Sequence, residues 1–203
     1  MPVALRGVLN ATANVILSRM ADGTSYENAL AEAQRADLAE RDPAADVGGY
    51  DATAKVMILS ALVFGRQLRR EEVACRGITG ITGQQVREAA SAGRRLRHVA
   101  TLAFSGPGGA ATVTARVQPE IVHADDPLAS IDGVTNAVVC QASPIGRSRS
   151  SGLAPGRNLR ARKCSATSSR SRDGNQRAHK PWSRQVARAP AVPIARRQGR
   201  SQA

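Results

Sequence analysis

At residue 143 the sequence changes character, and that change sets what the chain can fold into. Before it, apolar residues recur at helix and strand periods; after it, Arg, Ser, Ala, Pro and Gly dominate and no period survives. A piece such as Arg147-Ser148-Arg149-Ser150-Ser151 cannot bury enough apolar area to offset the ordering of its chain. Residues 1–142 are therefore expected to form one folded domain. Residues 143–203 are expected to be a disordered basic tail, apart from a short strand end.

Charge divides at the same point. The chain carries 29 Lys and Arg against 16 Asp and Glu, a net of +13, which for a uniform protein would suggest nucleic acid or an acidic membrane as partner. Residues 1–142, however, hold 14 basic and 15 acidic side chains, a net of −1. The tail holds the other 15 basic residues with Asp173 as its acid, a net of +14. Polyanion contact is thus expected from the tail alone, nonspecific and salt-sensitive. Trp182 is its one aromatic side chain, too few for a base-stacking platform.

Cys75, Cys140 and Cys164 are widely spaced and form no CxxC pair, so neither a zinc site nor a disulfide framework is expected. The start, Met1 to Arg6, lacks the apolar run of a signal peptide. The longest apolar stretch, Val56 to Phe64, is far short of the ~20 residues that span a bilayer. A cytoplasmic setting without membrane contact is expected.

Within the first 142 residues, Val8, Leu9, Ala13, Ile16, Leu17 and Met20 predict a helix over 8–20, with Asn10 suited to cap it. A second helix is predicted from Ser25 or Tyr26 to Arg35, and a third from about Asp51 to Phe64, stopped by Gly65. Pro43 and Gly48-Gly49 keep residues 37–49 a loop. A further helical stretch covers Gln84 to Ala92. Alternation then marks strands at Leu96–Phe104, Ala111–Val117 and Ile131–Val139, the first two joined by a turn at Gly106–Gly109. Helices first and strands later imply an α+β fold, with helices packed on one face of a small sheet.

The chemistry concentrates in the loop and the helix after it. Glu40, Asp42, Asp46, Asp51 and Lys55 fall within sixteen positions around Pro43, Gly48 and Gly49. Asp51 and Lys55, four apart at a helix start, share a face. They fit a plain surface ion pair, worth ~0.3–0.5 kcal/mol. Asp46 and Asp51 equally fit acids favoured by a helix N-terminus, and Glu40 a solvated loop residue. They also fit a pocket in which carboxylates hold a ligand's ammonium group and a lysine exchanges a proton with a reacting oxygen. Spacing alone does not choose.

Two motifs carry a resemblance that does choose. Gly7-Val8-Leu9-Asn10-Ala11-Thr12-Ala13-Asn14-Val15-Ile16-Leu17-Ser18-Arg19-Met20 resembles the G-I-L-N-G-T-T-N-Y-I-L-T-R-M of the homoserine dehydrogenase family. Ala39-Glu40-Arg41-Asp42-Pro43, followed by Asp46-Val47, Gly49, Asp51 and Lys55, resembles its A-E-x-D-P-x-x-D-V-x-G-x-D-x-x-x-K. Weaker similarity continues through Arg76-Gly77-Ile78, Asp126 to Ala129 and Val134 to Val138, so the resemblance covers roughly residues 7–141. The chain departs from the pattern at Ala11, Ala13, Val15 and Asp37-Leu38.

The resemblance implies an oxidoreductase of threonine and methionine biosynthesis that interconverts aspartate semialdehyde and homoserine with NADP or NAD. It implies that Glu40 binds the substrate amino group, Asp46 supports that polar shell and Thr12 lies near the substrate. Asp51 would meet the reacting oxygen and orient Lys55, the proton donor in the reducing direction. It also implies a homodimer paired through the sheet. The family's dinucleotide domain opens with a G-x-G-x-x-G turn after a strand, and this chain shows no such turn. No cofactor-binding residue is therefore assigned, and the isolated chain is expected to be an inactive fragment. Past Gly146 the glycine-rich return expected of the family is replaced by Arg/Ser-rich sequence, as an out-of-frame reading of GC-rich coding DNA would give. The alternatives are a noncatalytic dimerising module and a nonspecific nucleic-acid binder acting through the tail.

Overall fold

A computed structural model describes residues 2–105, 112–142 and 146–153. Its centre is a six-stranded sheet in the order β2-β4-β3-β1-β5-β6. The strands are β1 (Pro2–Val8), β2 (Val73–Cys75), β3 (Arg94–Ser105), β4 (Thr112–His123), β5 (Thr135–Ala142) and β6 (Gly146–Leu153). Neighbours run antiparallel except β2 and β4, which are parallel. The helices are α1 (Ala11–Ala21), α2 (Tyr26–Arg35), α3 (Ala44–Val47), α4 (Tyr50–Phe64) and α5 (Gly83–Ser91). Among the described residues no helix is long and apolar enough to cross a membrane.

Register explains the layering. Leu5 pairs with Leu102 and Cys140, Leu102 with Ala115, and Ala115 with Val73, so these side chains share one face. The next rung on that face is Gly7, Ala100, Val138, Val117 and Cys75. Helix α4 packs on it through Ala52 and Val56, and Phe64 stacks on Phe104 with ring centroids 5.5 Å apart. Fully burying a side chain such as Val56 is worth ~1.5–3 kcal/mol. Further along, Ile16, Leu17 and Met20 of α1 and Val86 of α5 close over Leu96. The opposite face carries Val8, Val99, Val122, Ala137 and Val139, covered by Leu128, Ala129 and Ile131 from the loop before β5. Helices on one face of an α+β sheet is the expected architecture.

Local chemistry accounts for the helix ends. Asn10 caps α1, its side chain accepting from the Ala13 N–H at 2.8 Å. Ser25 caps α2 by accepting from the Asn28 N–H at 3.2 Å. Thr82 and Gln85 cap α5 reciprocally, a box the residue pattern held and the sequence reading passed over. Gly65 ends α4 in the left-handed region, φ 66.

Four expectations are corrected, one of them local: residues 44–47, expected as loop, form the single helical turn of α3. The first helix does not begin at Val8: residues 2–8 form β1, at the heart of the sheet between β3 and β5. Val8 and Leu9 are apolar and buried, and a short apolar run suits a two-sided strand as well as a helix. The order is not helices then strands, because β1 precedes α1 and the three-residue β2 precedes α5. The third strand begins at Thr135 rather than Ile131.

The strand end allowed in the basic segment is the eight-residue β6, whose register on β5 runs from Ala142↔Gly146 to Thr135↔Leu153. The sheet therefore crosses the expected boundary at 142. An edge strand is held by main-chain hydrogen bonds, which Arg and Ser supply as well as Val does. The turn at Gly106–Gly109 and the rest of the tail lie outside the described residues, although β3 and β4 pair in full hairpin register up to Ser105↔Thr112.

Candidate active site

The site assembles where β1 runs into α1, against α3 and the first turn of α4. Five side chains form one hydrogen-bonded line. Lys55 Nζ donates to Asp51 Oδ2 at 2.6 Å and to the Leu9 carbonyl at 2.8 Å. Asn10 Nδ2 donates to Asp51 Oδ2 at 2.9 Å and to Asp46 Oδ1 at 2.7 Å. Thr12 Oγ1 lies 3.2 Å from Asp46 Oδ2 and 2.7 Å from the Leu38 carbonyl, sharing its single proton between them. Thr12 and Asn10 are buried, while the Lys55 side chain is 45% exposed and that of Asp51 33%. The line thus has a fixed inner end and an open outer end.

Two of the three Lys55 ammonium protons are taken by Leu9 and Asp51, which leaves the third for a ligand oxygen. The structure therefore brings Thr12, Asp46, Asp51 and Lys55 together. Glu40 stands on the loop between α2 and α3 with its side chain exposed, and its carbonyl accepts from Gln34 Nε2 at 3.1 Å. Asn10 and the Leu9 carbonyl are members that the sequence reading did not assign. Asn10 was legible only as a helix cap, because its contacts with Asp46 and Asp51 span 36 and 41 positions.

The α3–α4 turn that presents Asp51 is braced from behind. Gly49 takes the left-handed conformation, φ 83, at the start of α4. A Cβ there would lie 3.1 Å from both Cys75 Sγ and His98 Cε1. Cys75 Sγ donates to the Gly48 carbonyl at 3.4 Å, and the Val47 carbonyl accepts from the Ile78 N–H at 2.8 Å. His98 Nε2 lies 3.0 Å from the Arg76 carbonyl, which can only accept, so Nε2 carries the proton. Its Nδ1 is buried with no hydrogen-bond partner.

Burial holds the His98 pKa below the ordinary histidine value, and the hydrogen bond to Arg76 offsets only part of that. The unfolded chain therefore binds a proton below about pH 6.5 that the folded chain refuses. Stability should fall as pH drops through that value, by up to about 1.4 kcal/mol per pH unit from this group. Urea denaturation at pH 7 and pH 5 should show a larger loss for the wild type than for His98→Leu. Equal losses would remove His98 as the cause.

Three of the described helix starts do not suit a pyrophosphate. The N-terminus of α1 is occupied by the Asn10 side chain and flanked by Asp46 and Asp51, which repel a pyrophosphate. That of α4 carries Asp51 in its first turn, and that of α5 is closed by its own capping box.

Known proteins resemble this chain in sequence and in fold. The homoserine dehydrogenase family model matches residues 3–164, beyond the stretch covered by the two motifs and their weaker continuation. The homoserine dehydrogenase of Synechocystis sp. is 38% identical over 142 residues, covering 70% of this chain and 33% of that protein. Staphylococcus aureus homoserine dehydrogenase superposes with a TM-score of 0.72 at 32% identity, over 76% of this chain and 39% of that one. A hyperthermophilic archaeal homoserine dehydrogenase solved in complex with NADPH superposes with a TM-score of 0.62 at 26% identity, over 76% of this chain and 42% of that one. The chain spans about a third of the length of the curated relatives it matches. With the family model matched over most of its residues and the sheet and helices shared with solved members, the chain belongs to the homoserine dehydrogenase family.

Proposed function

We propose that the folded residues supply the substrate grip and the proton donor of a homoserine dehydrogenase, which interconverts aspartate semialdehyde and L-homoserine with NADP or NAD. The observation that carries this is the Lys55–Asp51 contact of 2.6 Å, tied through Asn10 to Asp46 and Thr12. A carboxylate pair beside an ammonium suits a small amino acid bearing an oxygen at its far end. In this reading Glu40 and Asp46 receive the substrate ammonium, and Lys55 faces the substrate oxygen.

Hydride arrival at the aldehyde carbon leaves an alkoxide, and Lys55 Nζ gives it a proton. Asp51 aims the lysine, and the exposed side chain regains its proton from water. A nicotinamide would supply that hydride, and no described residue is assigned to hold it.

Titration of the full chain with L-homoserine, followed calorimetrically, should give saturable binding. Glu40→Gln and Asp46→Ala should each weaken it about tenfold or more, the loss expected for one charged hydrogen bond of ~1.5–3 kcal/mol. The same chain given NADPH and aspartate semialdehyde should show no cofactor oxidation. Undetectable homoserine binding, or binding untouched by both substitutions, would remove this assignment.

A further inference from the structure

We propose that Asn10 is the positioning residue of the site: its amide holds the Asp46 and Asp51 carboxylates together, and through Asp51 it aims Lys55. The inference rests on the homoserine dehydrogenase reading for its ligand and on geometry for the rest.

Asn10 uses its side chain completely. Its oxygen accepts from the Ala13 N–H at 2.8 Å, and its nitrogen donates to Asp46 Oδ1 at 2.7 Å and Asp51 Oδ2 at 2.9 Å. The amide orientation is decided by these partners. Turned over, its oxygen would face two carboxylates and its NH2 would face a backbone donor, leaving three contacts repulsive. The residue is buried, so water cannot substitute for it.

Two aspartates that share one nitrogen are close enough to repel, and a neutral group with two N–H bonds is what lets both stay beside each other. Asp51 Oδ2 also accepts from Lys55, so the same oxygen is fixed from two sides. The main chain reinforces the arrangement, because the Leu9 carbonyl next to Asn10 receives the Lys55 ammonium. One dipeptide at the end of β1 therefore sets both the carboxylate pair and the lysine. A helix cap alone requires only the oxygen, and Ser or Asp would serve it as well.

That difference makes the role separable from stability. Asn10→Ser keeps a capping oxygen and replaces the two N–H donors with a single O–H, which cannot serve both carboxylates. Asn10→Asp keeps the cap and adds a third carboxylate to the cluster. Asn10→Ser in the full chain should melt within about 3 °C of the wild type, and Asn10→Asp should melt lower, because a third carboxylate joins two others at a buried position. Asn10→Ser should bind L-homoserine at least about tenfold more weakly, and Asn10→Asp should bind none that titration detects.

The second readout needs no ligand. The Lys55 Nζ proton–nitrogen signal, protected in the wild type by its two hydrogen bonds, should broaden beyond detection in both variants. Wild-type affinity together with a retained Lys55 signal in Asn10→Ser would overturn the proposal. If the wild type itself binds no homoserine, the functional assignment falls, and the Lys55 signal still decides the role of Asn10.

Discussion

Gly77→Ala should cost about 3 kcal/mol or more of folding stability and abolish homoserine binding. A Cβ at residue 77 would sit 2.2 Å from the Val47 carbonyl oxygen, 2.7 Å from Gly48 Cα and 2.9 Å from Gly48 C. All three are backbone atoms, so no rotamer change relieves the overlap. The Val47 carbonyl is also the acceptor of the Ile78 N–H, and Ile78 is fully buried among Ile16, Val47 and Val86. The loop must therefore retreat, losing that hydrogen bond and opening the cluster around Ile78. Overpacking of this kind costs about 1–3 kcal/mol, and a lost buried hydrogen bond adds about 1.

The displaced Val47–Gly48 segment leads directly into Gly49 and Asp51, so the site moves with it. Gly83→Ala is the control. There the added carbon meets only the flexible end of Arg87, and the helical position should change stability by less than about 1 kcal/mol. Urea denaturation of both variants decides the point, and equal midpoints for Gly77→Ala and wild type would refute it.

Arg6→Met should destabilise the chain by about 3–5 kcal/mol, although it lies outside the site. Arg6 is buried in β1, and its guanidinium reaches Glu120 Oε2 at 2.8 Å and Asp126 Oδ2 at 2.5 Å. Glu120 is 1% exposed on β4, two strands away. Its further contacts, with Arg116 Nε and Gln118 Nε2, are both 3.5 Å and too long to replace the arginine's hydrogen bond. Removing the arginine leaves a carboxylate out of water that has lost its shortest ion pair and keeps the longer one to Arg116. The double variant Arg6→Met/Glu120→Leu should recover most of the loss, because the buried charge is then gone. A loss below about 1 kcal/mol for Arg6→Met, or no recovery in the pair, would show that the network does not hold the strands as described.

Much of the helical structure was legible because its signals are local. Ser25, Asn10 and Gly65 act within four residues of themselves, and each ends its helix where the residue types imply. Strand β3 was legible because Leu96, Ala100, Leu102 and Phe104 alternate toward the helices. Strand β1 was not. Buried on both faces, it shows no alternation, and its neighbours in the sheet are more than 90 positions away. β2 is three residues long and is held by pairing with β4, which no local pattern announces. β6 is composed of Arg, Ser and Gly up to its last residue, Leu153, and pairs along the edge of β5.

The site divides along the same line. Sequence by itself determined that carboxylates and a lysine cluster at a helix start, because Asp51 and Lys55 are neighbours through helical spacing alone. Only the tertiary structure decided that Leu9 and Asn10 are part of that cluster. They reach Lys55, Asp46 and Asp51 because β1 occupies the middle of the sheet and delivers its end against α3 and α4. Spacing along a helix fixes what lies one turn away; contacts across dozens of residues exist only once a buried sheet has brought distant segments together.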